Sequence, residues 1–237
     1  ALIDASTGLC NIIRIQNGAS FTANQDMELE DGTVIVETGG SLYVIDDFEI
    51  SSGQLDLTGG YIELHGDFKN DATFNCSSGE VMFAGNQDQE VEGSQLSVFY
   101  NLTVDNSHEG LQMHTNISVT NNLTLIDGDI NLLGYDIDLG ATGTLIGETS
   151  DHRIKGVSGT ITANRNNPSG NIAGLGLDIS ATSPMGNTDV VRGHEQLSGS
   201  GSFAGNNSIL RYYEIHPGAK SVITADVTFS YMDIELN

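Results

Sequence analysis

Two pairs of carboxylates in the sequence have a spacing that could serve acid–base chemistry. Asp127 and Asp129 stand two residues apart, and Asp136 and Asp138 repeat that spacing. Glycoside hydrolysis with inversion needs two carboxyl groups about 6.5–9.5 Å apart that face one cleft. Both pairs alternate with apolar residues, which places the carboxylates on the solvent side of a strand. The pattern therefore favours solvated outer residues over a catalytic pair.

The acidic turns also contain the candidates for binding a cation. Asp46 and Asp47 are adjacent, and Asp127 and Asp129 flank a glycine. Carboxylate oxygens suit Ca²⁺, but the sequence has no EF-hand loop, no glycine-rich calcium repeat and no histidine pair at metal-ligand spacing. We therefore expect no cofactor, with loose calcium binding at these turns as the alternative to a surface that is simply acidic and soluble.

A third constellation lies in "VRGHE", which brings together Arg192, His194 and Glu195. These residue types could act together in acid–base catalysis. The segment follows a run of alternating apolar residues, so we interpret it as a strand end with its polar side chains facing outward.

Three tyrosines are the candidates for stacking on a sugar ring. Tyr43, Tyr61 and Tyr135 each fall between residues that the alternation places inside, so they are predicted to face outward. Tryptophan is absent from the chain. Carbohydrate binding therefore stays open as an alternative.

The stretch 84–100, "AGNQDQEVEGSQLSVFY", interrupts the apolar pattern with polar residues. We interpret it as a coil with a longer surface loop; the functional alternative is a partner-binding loop, for which Gln87 and Gln89 are the candidates.

Charge limits the partners of this chain. The 237 residues include 32 acidic and 8 basic ones, for a net charge of −24. Such a surface repels nucleic-acid phosphates and anionic lipid head groups. Because of this charge, we expect no nucleic acid binding. No apolar run reaches 18 residues, and no signal peptide opens the chain, so we expect no direct membrane insertion.

The acidic residues are concentrated in the first two thirds of the chain. Only Arg14 and Lys69 are basic before residue 153, whereas the remainder is close to neutral. A turn-rich segment at 164–170, "NRNNPSG", follows the change in charge and is predicted to be a linker. We therefore predict an acidic domain at 1–163 and a second module at 164–237.

Short alternating apolar pairs, each followed by a polar or glycine corner, fill the first domain. Typical pairs are Val34 with Val36, Leu42 with Val44, Phe48 with Ile50, and Leu55 with Leu57. Successive pairs are about seven residues apart, so three of them make a coil of roughly 20–23 residues. This spacing favours an all-β, right-handed parallel β-helix of about seven coils over a sandwich of hairpins.

The two cysteines test this arrangement. Cys10 and Cys76 lie about three coils apart, which separates them by about 14 Å at the spacing of adjacent strands. A disulfide needs Cα atoms within about 7 Å. We expect no bridge between them.

The strands of the second module are longer, and glycine- and serine-rich loops separate them. This change predicts a small β-sandwich. Its last strand alternates through Val227, Phe229 and Tyr231, and the sequence ends six residues later. We expect the sandwich to be incomplete at that point, with the neighbouring strands supplied by further sequence or by another chain.

Several motifs resemble the repeat-rich cell-surface and secreted proteins of the Bacteroidota. The likeness lies in "VMFAGNQDQEVEG", "FYNLTVDNSHEGLQM" and "ISVTNNLTLIDGDINL", and in the C-terminal "AGLGLDIS", "GNTDVVRGHE" and "RYYEIHP". It covers most of the chain from about residue 75. The resemblance implies a large adhesin-like protein exported by type IX secretion, with a β-helix region followed by a sandwich-like module.

These observations lead to one main hypothesis and two alternatives for function. The main one is a non-catalytic structural or adhesin module of a larger extracellular or cell-surface protein, acting as a stiff stalk or assembly element. Its partners would be neighbouring domains or other surface subunits, reached through residues 1–20 or 211–237. The first alternative is a glycan- or protein-binding adhesin domain, and the second is a polysaccharide-active enzyme.

Overall fold

The computed structural model describes residues 2–3, 12–198, 207–219 and 223–236. Their alternating apolar residues form strands that stack in parallel into a β-solenoid of about seven turns. This confirms the all-β, parallel β-helix prediction. Each coil has three faces, which we number in chain order.

The third face is a single eight-stranded parallel sheet. Its strands are β1 (Leu2–Ile3), β4 (Met27–Leu29), β7 (Phe48–Ile50), β9 (Phe68–Asn70), β11 (Gln89–Glu92), β13 (Leu111–Met113), β15 (Ile130–Asn131) and β18 (Ile154–Lys155). Phe48 pairs with Phe68 and Leu111 pairs with Ile130, so one coil takes about 20 residues, as predicted.

The first and second faces belong to one larger sheet, because in the central coils a single long strand bends round the corner between them. The separate strands are β2 (Ile12–Ile15), β3 (Ser20–Ala23), β5 (Thr33–Glu37), β6 (Ser41–Val44), β16 (Ile137–Asp138) and β17 (Thr144–Ile146). The long ones are β8 (Gln54–Leu64), β10 (Thr73–Phe83), β12 (Ser97–Asp105) and β14 (Ile117–Asp127).

The inward side chains form continuous apolar columns. Phe68 illustrates the packing, since its ring centroid lies 5.8 Å from that of Phe48, 5.5 Å from Phe74 and 6.1 Å from Phe99. All four rings are buried. Tilted and edge-on contacts at these distances add to the free energy gained from burial of the rings.

The solenoid sheet continues into the second module through β19 (Thr160–Asn166). This strand pairs in parallel with β16 and antiparallel with β22 (Asn187–Gly193), which pairs in turn with β23 (Tyr212–Pro217). Because β19 runs across residues 163 and 164, the turn-rich segment begins three residues later than the sequence predicted. The predicted linker is therefore wrong for residues 164–166.

A second antiparallel sheet covers the first. It consists of β20 (Gly170–Asn171), β21 (Leu177–Ala181) and β24 (Ala225–Phe229), and a 3-10 helix follows at Asp233–Glu235. The rings of Tyr213 and Phe229 meet across the two sheets at 5.2 Å. The module is thus built from two facing antiparallel sheets.

The longer loop predicted within the coil at 84–100 is divided by a strand. Gln89–Glu92 form β11 of the third face, and Ser97 begins β12. Polar residues stand at inward positions here, so the apolar alternation that predicts a strand is missing. Only the short segments 84–88 and 93–96 are corners.

Candidate functional site

Acidic residues follow one corner of the solenoid from coil to coil. This acidic corner, between the second and third faces, contains Asp26, Asp46, Asp47, Asp67, Asp88, Asp127 and Asp129. Both predicted cation-binding pairs belong to it. Stacking of coils therefore places residues about 80 positions apart in one column. A groove of about 560 Å³ lies beside the part of the column from Asp46 to Asp88.

At the first end of this corner, three carboxylates converge. Oxygens of Asp26, Asp46 and Asp47 lie within 4.8 Å of one another, and all three residues are exposed. Asp47 Oδ1 also accepts the backbone N–H of Asp67 at 2.9 Å. These are the described residues that could share a cation, but exposed carboxylates grouped in this way do not by themselves make a metal site.

The second predicted pair is already engaged within the protein. Asp129 Oδ1 accepts the backbone N–H of Arg153 at 2.9 Å, and Oδ2 lies 2.8 Å from Lys155 Nζ. Asp127 Oδ1 accepts the N–H of Gly128 at 2.9 Å. The geometry thus assigns Asp129 to holding the next coil.

The same use of carboxylates recurs at other corners. Asp67 Oδ1 accepts the N–H of Glu90 at 2.8 Å, and Asp71 Oδ1 accepts that of Ser94 at 2.8 Å. Each carboxylate satisfies a backbone donor in the following coil, where the ladder is interrupted by the turn. Much of the acidic composition therefore has a local structural purpose.

Asp67 has the most perturbed carboxyl group in this corner. Burial raises its pKa to about 6, with smaller contributions from the charges of Asp47, Glu90 and Glu92, while the hydrogen bond from Glu90 N–H acts in the opposite direction. Asp67 is thus partly protonated near pH 6.

Gln89, a predicted partner-binding residue, is fully buried. Its Nε2 donates to the carbonyls of Leu64 at 3.0 Å and Gly66 at 2.7 Å. Its Oε1 accepts from Gly85 N–H at 2.7 Å and from Asn106 Nδ2 at 2.9 Å. The side chain therefore bonds three coils together and is not accessible to a partner, whereas Gln87 is exposed.

The tyrosines face outward as predicted, but only two of them meet. Tyr43 and Tyr61 lie in adjacent coils with ring centroids 6.1 Å apart at 66°. Tyr61 donates its hydroxyl to Glu63 Oε2 at 2.6 Å, and burial, followed by that contact, raises its pKa. Tyr135 is 36% exposed and lies in a different part of the coil.

A shallow groove runs beside the tyrosine pair. It has a volume of about 350 Å³ and follows the corner between the first and second faces. Its lining consists of Gly39, Gly40, Ser41, Gly59, Gly60, Tyr61, Gly79, Glu80 and Asn101. The glycines leave the backbone open to an approaching ligand.

A buried charge cluster joins the solenoid to the second module, and sequence analysis missed it. This junction cluster consists of Glu148, Arg192, His194, Arg211 and Glu235. Arg192 is fully buried and donates from Nη1 and Nη2 to the two oxygens of Glu148, both at 2.8 Å. The strand-end interpretation of "VRGHE", with outward polar side chains, is therefore wrong for Arg192 and His194.

The second arginine closes the cluster toward the C-terminal segment. Arg211 Nε donates to Glu235 Oε1 at 2.8 Å, and its Nη2 lies 2.7 Å from the same oxygen and 3.5 Å from Glu148 Oε2. Glu235 Oε2 accepts the N–H of Met232 at 2.8 Å. Removing one member of such a buried, paired set leaves an uncompensated charge.

His194 lies against the arginines and stays neutral. Its Nε2 is 3.4 Å from Arg192 Nε, which is the donor. Burial lowers the pKa of His194 well below its usual value, and the charges of Arg192, Arg211 and Arg153 lower it further. This histidine thus accepts a hydrogen bond and does not titrate near neutral pH.

One signal in the sequence could have located part of this cluster. Val190 and Arg192 are two residues apart in a strand, so they share a face, and Val190 is fully buried. The alternation therefore points Arg192 into the interior. Its partner Glu148 is 44 residues away, and no local pattern connects the two.

The second module has an open edge, formed by the outer sides of β23 and β24. Each is the last strand of its sheet in the described part of the chain. Phe229 is 52% exposed although its ring contacts Tyr213 of β23, and Tyr231, just after β24, is 53% exposed. The expectation that further strands lie beside these residues stays a prediction.

Within residues 2–3, 12–198, 207–219 and 223–236, no helix has the length and apolar character needed to cross a bilayer.

Cys76 is a free thiol whose sulfur accepts the N–H of Tyr100 at 3.2 Å, and burial raises its pKa. Cys10, the other residue in the disulfide prediction, lies outside the described residues.

Comparisons with protein-family models, with curated proteins and with solved structures found no match.

Proposed function

We propose that this chain is a non-catalytic structural module, a stiff stalk or assembly element of a larger extracellular protein. The observation that carries the proposal is the unbroken hydrogen-bonded path from the first coils to the second module. The larger sheet runs from β2 through β19 and on to β23 without interruption.

Stiffness follows from this connectivity. Every coil is bonded to the next along its faces, the apolar columns fill the interior, and corner carboxylates and Gln89 hold the turns. At about 4.8 Å per coil, seven coils form a rod about 34 Å long. The junction cluster connects the end of that rod to the second module, so a load applied at one end is carried to the other.

Mechanical unfolding tests this function directly. The chain is pulled by its two ends in an optical trap, and we expect one cooperative rupture of the coils and the second module together. Stepwise opening of single coils at low force would contradict a load-bearing role. Glu148→Ala should lower the force at which the second module comes away from the solenoid and so split the rupture into two events.

The proposed location outside the cell rests on the motifs that resemble exported surface proteins. Protease treatment of intact cells that make this protein should cleave it, while a cytoplasmic marker stays whole. Protection of the protein in intact cells would contradict this location.

A second candidate function is glycan binding at the tyrosine pair. It is favoured by the position of Tyr43 and Tyr61 beside a groove that also offers Glu80 and Asn101. Aromatic faces next to polar side chains suit a sugar ring. On a glycan array, Tyr61→Ala should abolish binding that the control Tyr135→Ala retains, and equal binding by both variants would reject the site.

A further inference from the structure

We propose that the open edge accepts one extended strand from another protein, with apolar residues at alternate positions and basic residues between them. The strand would pair with β24 and complete the second sheet. This inference deepens the proposed assembly role and rests on it.

The backbone of β24 shows which groups are free. Ser230 N–H donates to Gly176 O at 2.8 Å, and Thr224 O accepts from Thr182 N–H at 2.9 Å, so the even-numbered residues face β21. In an antiparallel pair, bonded and non-bonded residues alternate. The N–H and C=O groups of Val227 and Phe229 therefore point to the outer edge, where no described strand pairs with them.

The side chains at the same positions are also uncovered. Val227 and Phe229 lie opposite Ile179 and Leu177 in the register, which places them on the inner face of the sheet. Ile179 is 1% and Leu177 is 0% exposed, yet Val227 is 37% and Phe229 is 52% exposed. The burial that protects β21 thus ends at β24.

Proteins normally protect such an edge with lysine, proline or a bulge. Residues 225–229 contain no lysine, no proline and no bulge in their regular pairing with β21, and Asp226 is the one charged residue among them. Backbone groups and apolar side chains are thus open along the same strand, which is the arrangement that β-augmentation uses.

Charge selects the kind of strand. Residues 212–219 and 223–236 contain Glu214, Asp226 and Asp233 on the surface, and no lysine or arginine; Lys220 lies outside the described residues. Glu235, the remaining carboxylate there, is neutralised by Arg211. A second copy of this acidic chain would bring like charges together, whereas a basic strand is electrostatically complementary.

Two synthetic peptides test the proposal against the folded chain. Acetyl-VKVKVKV-amide should bind and protect the amides of Val227 and Phe229 from hydrogen exchange, while acetyl-VEVEVEV-amide should not. Val227→Pro removes an edge N–H without touching the bonds to β21, so it should weaken binding at least tenfold. Ile126→Asp changes an exposed apolar residue on the solenoid, far from this edge, and should bind as wild type.

Three results would overturn the inference. These are equal binding of both peptides, equal affinity of the Val227→Pro and Ile126→Asp variants, and self-association of the chain that Val227→Pro abolishes, because a second copy would then be the occupant. Thermal melting of each variant shows that it is folded. Peptide binding does not depend on the force at which the coils rupture, so this inference and the stalk function can fail separately.

Discussion

Glu148 and Arg192 form a two-bond ion pair across the junction between the solenoid and the second module. Each of the two contacts is 2.8 Å long, the residues are 44 positions apart, and Arg192 is fully buried. The pair connects the segment after β17 to β22. It is the point where loss of one side chain should have the largest effect.

Glu148→Ala should lower the free energy of unfolding by about 3–5 kcal/mol, because it leaves Arg192 buried without its counter-charge. Urea denaturation followed by circular dichroism measures the loss. Glu214→Ala is the matched control, since its carboxylate is exposed and pairs with exposed His216. We expect a change within about 0.5 kcal/mol there. A loss below about 1 kcal/mol for Glu148→Ala would show that the cluster does not hold the junction.

Gln89→Ala should destabilise the solenoid by about 2–3 kcal/mol, because it leaves buried donors and acceptors in neighbouring coils without hydrogen-bond partners. The same change at Gln87 should cost less than about 0.5 kcal/mol, since that residue is exposed and its amide donates to its neighbour's carbonyl. Equilibrium denaturation of the two variants provides the comparison. Equal losses would mean that the Gln89 hydrogen bonds add nothing to stability.

Asp67→Asn should remove part of the pH dependence of stability. The pKa of Asp67 is about 6 in the folded chain and 3.8 as its ordinary value, so between those values the folded state holds a proton that the unfolded state has lost. The contribution of Asp67 to stability therefore rises as pH falls from 6 toward 4. At pH 7 the asparagine variant should be more stable by about 1 kcal/mol, after allowance for solvent screening of a half-buried group.

Thermal melts of wild type and Asp67→Asn at pH 5 and pH 7 check this. The difference between the two pH values should be smaller in the variant. A wild-type difference that the substitution leaves unchanged would assign the pH dependence to other groups.

Gly110→Ala should prevent close stacking of two coils. Its φ is +83°, and an added Cβ would lie 1.9 Å from the carbonyl oxygen of Asp129. Gly140 has a φ of +51°, and a Cβ added there would have no neighbouring atom within 4 Å. Alanine there should cost about 1 kcal/mol of backbone strain, and alanine at 110 more than about 3 kcal/mol. Similar denaturation midpoints for the two variants would contradict the steric argument.

The solenoid could be predicted from the sequence because its coils follow a local pattern. Phe48 and Phe68 stand in separate alternating segments, and the alternation within each segment predicts which of its residues are buried. That periodicity survives without knowledge of the neighbours, since burial of one side of a strand needs only an interior. The expected coil of roughly 20–23 residues was close for the same reason.

The buried polar side chains could not be predicted from the apolar pattern. Gln89 stands in a polar segment, and its partners Leu64 and Asn106 belong to other coils. The polar pattern of segment 84–100 therefore predicts a longer loop where the structure has a strand. Among the carboxylates, the sequence could not distinguish Asp129, which holds Arg153 and Lys155, from Asp46, which remains exposed.

By itself, the sequence determined the strand pattern, the corners and the acidic surface, because these depend on residue type and short spacing. Only the tertiary structure decided which charges are buried and which strand is left open. Glu148 meets Arg192, and Val227 stays uncovered beside buried Ile179, through contacts between distant segments. The free energy of a buried ion pair or an exposed strand edge depends on those neighbours, and a local pattern does not contain them.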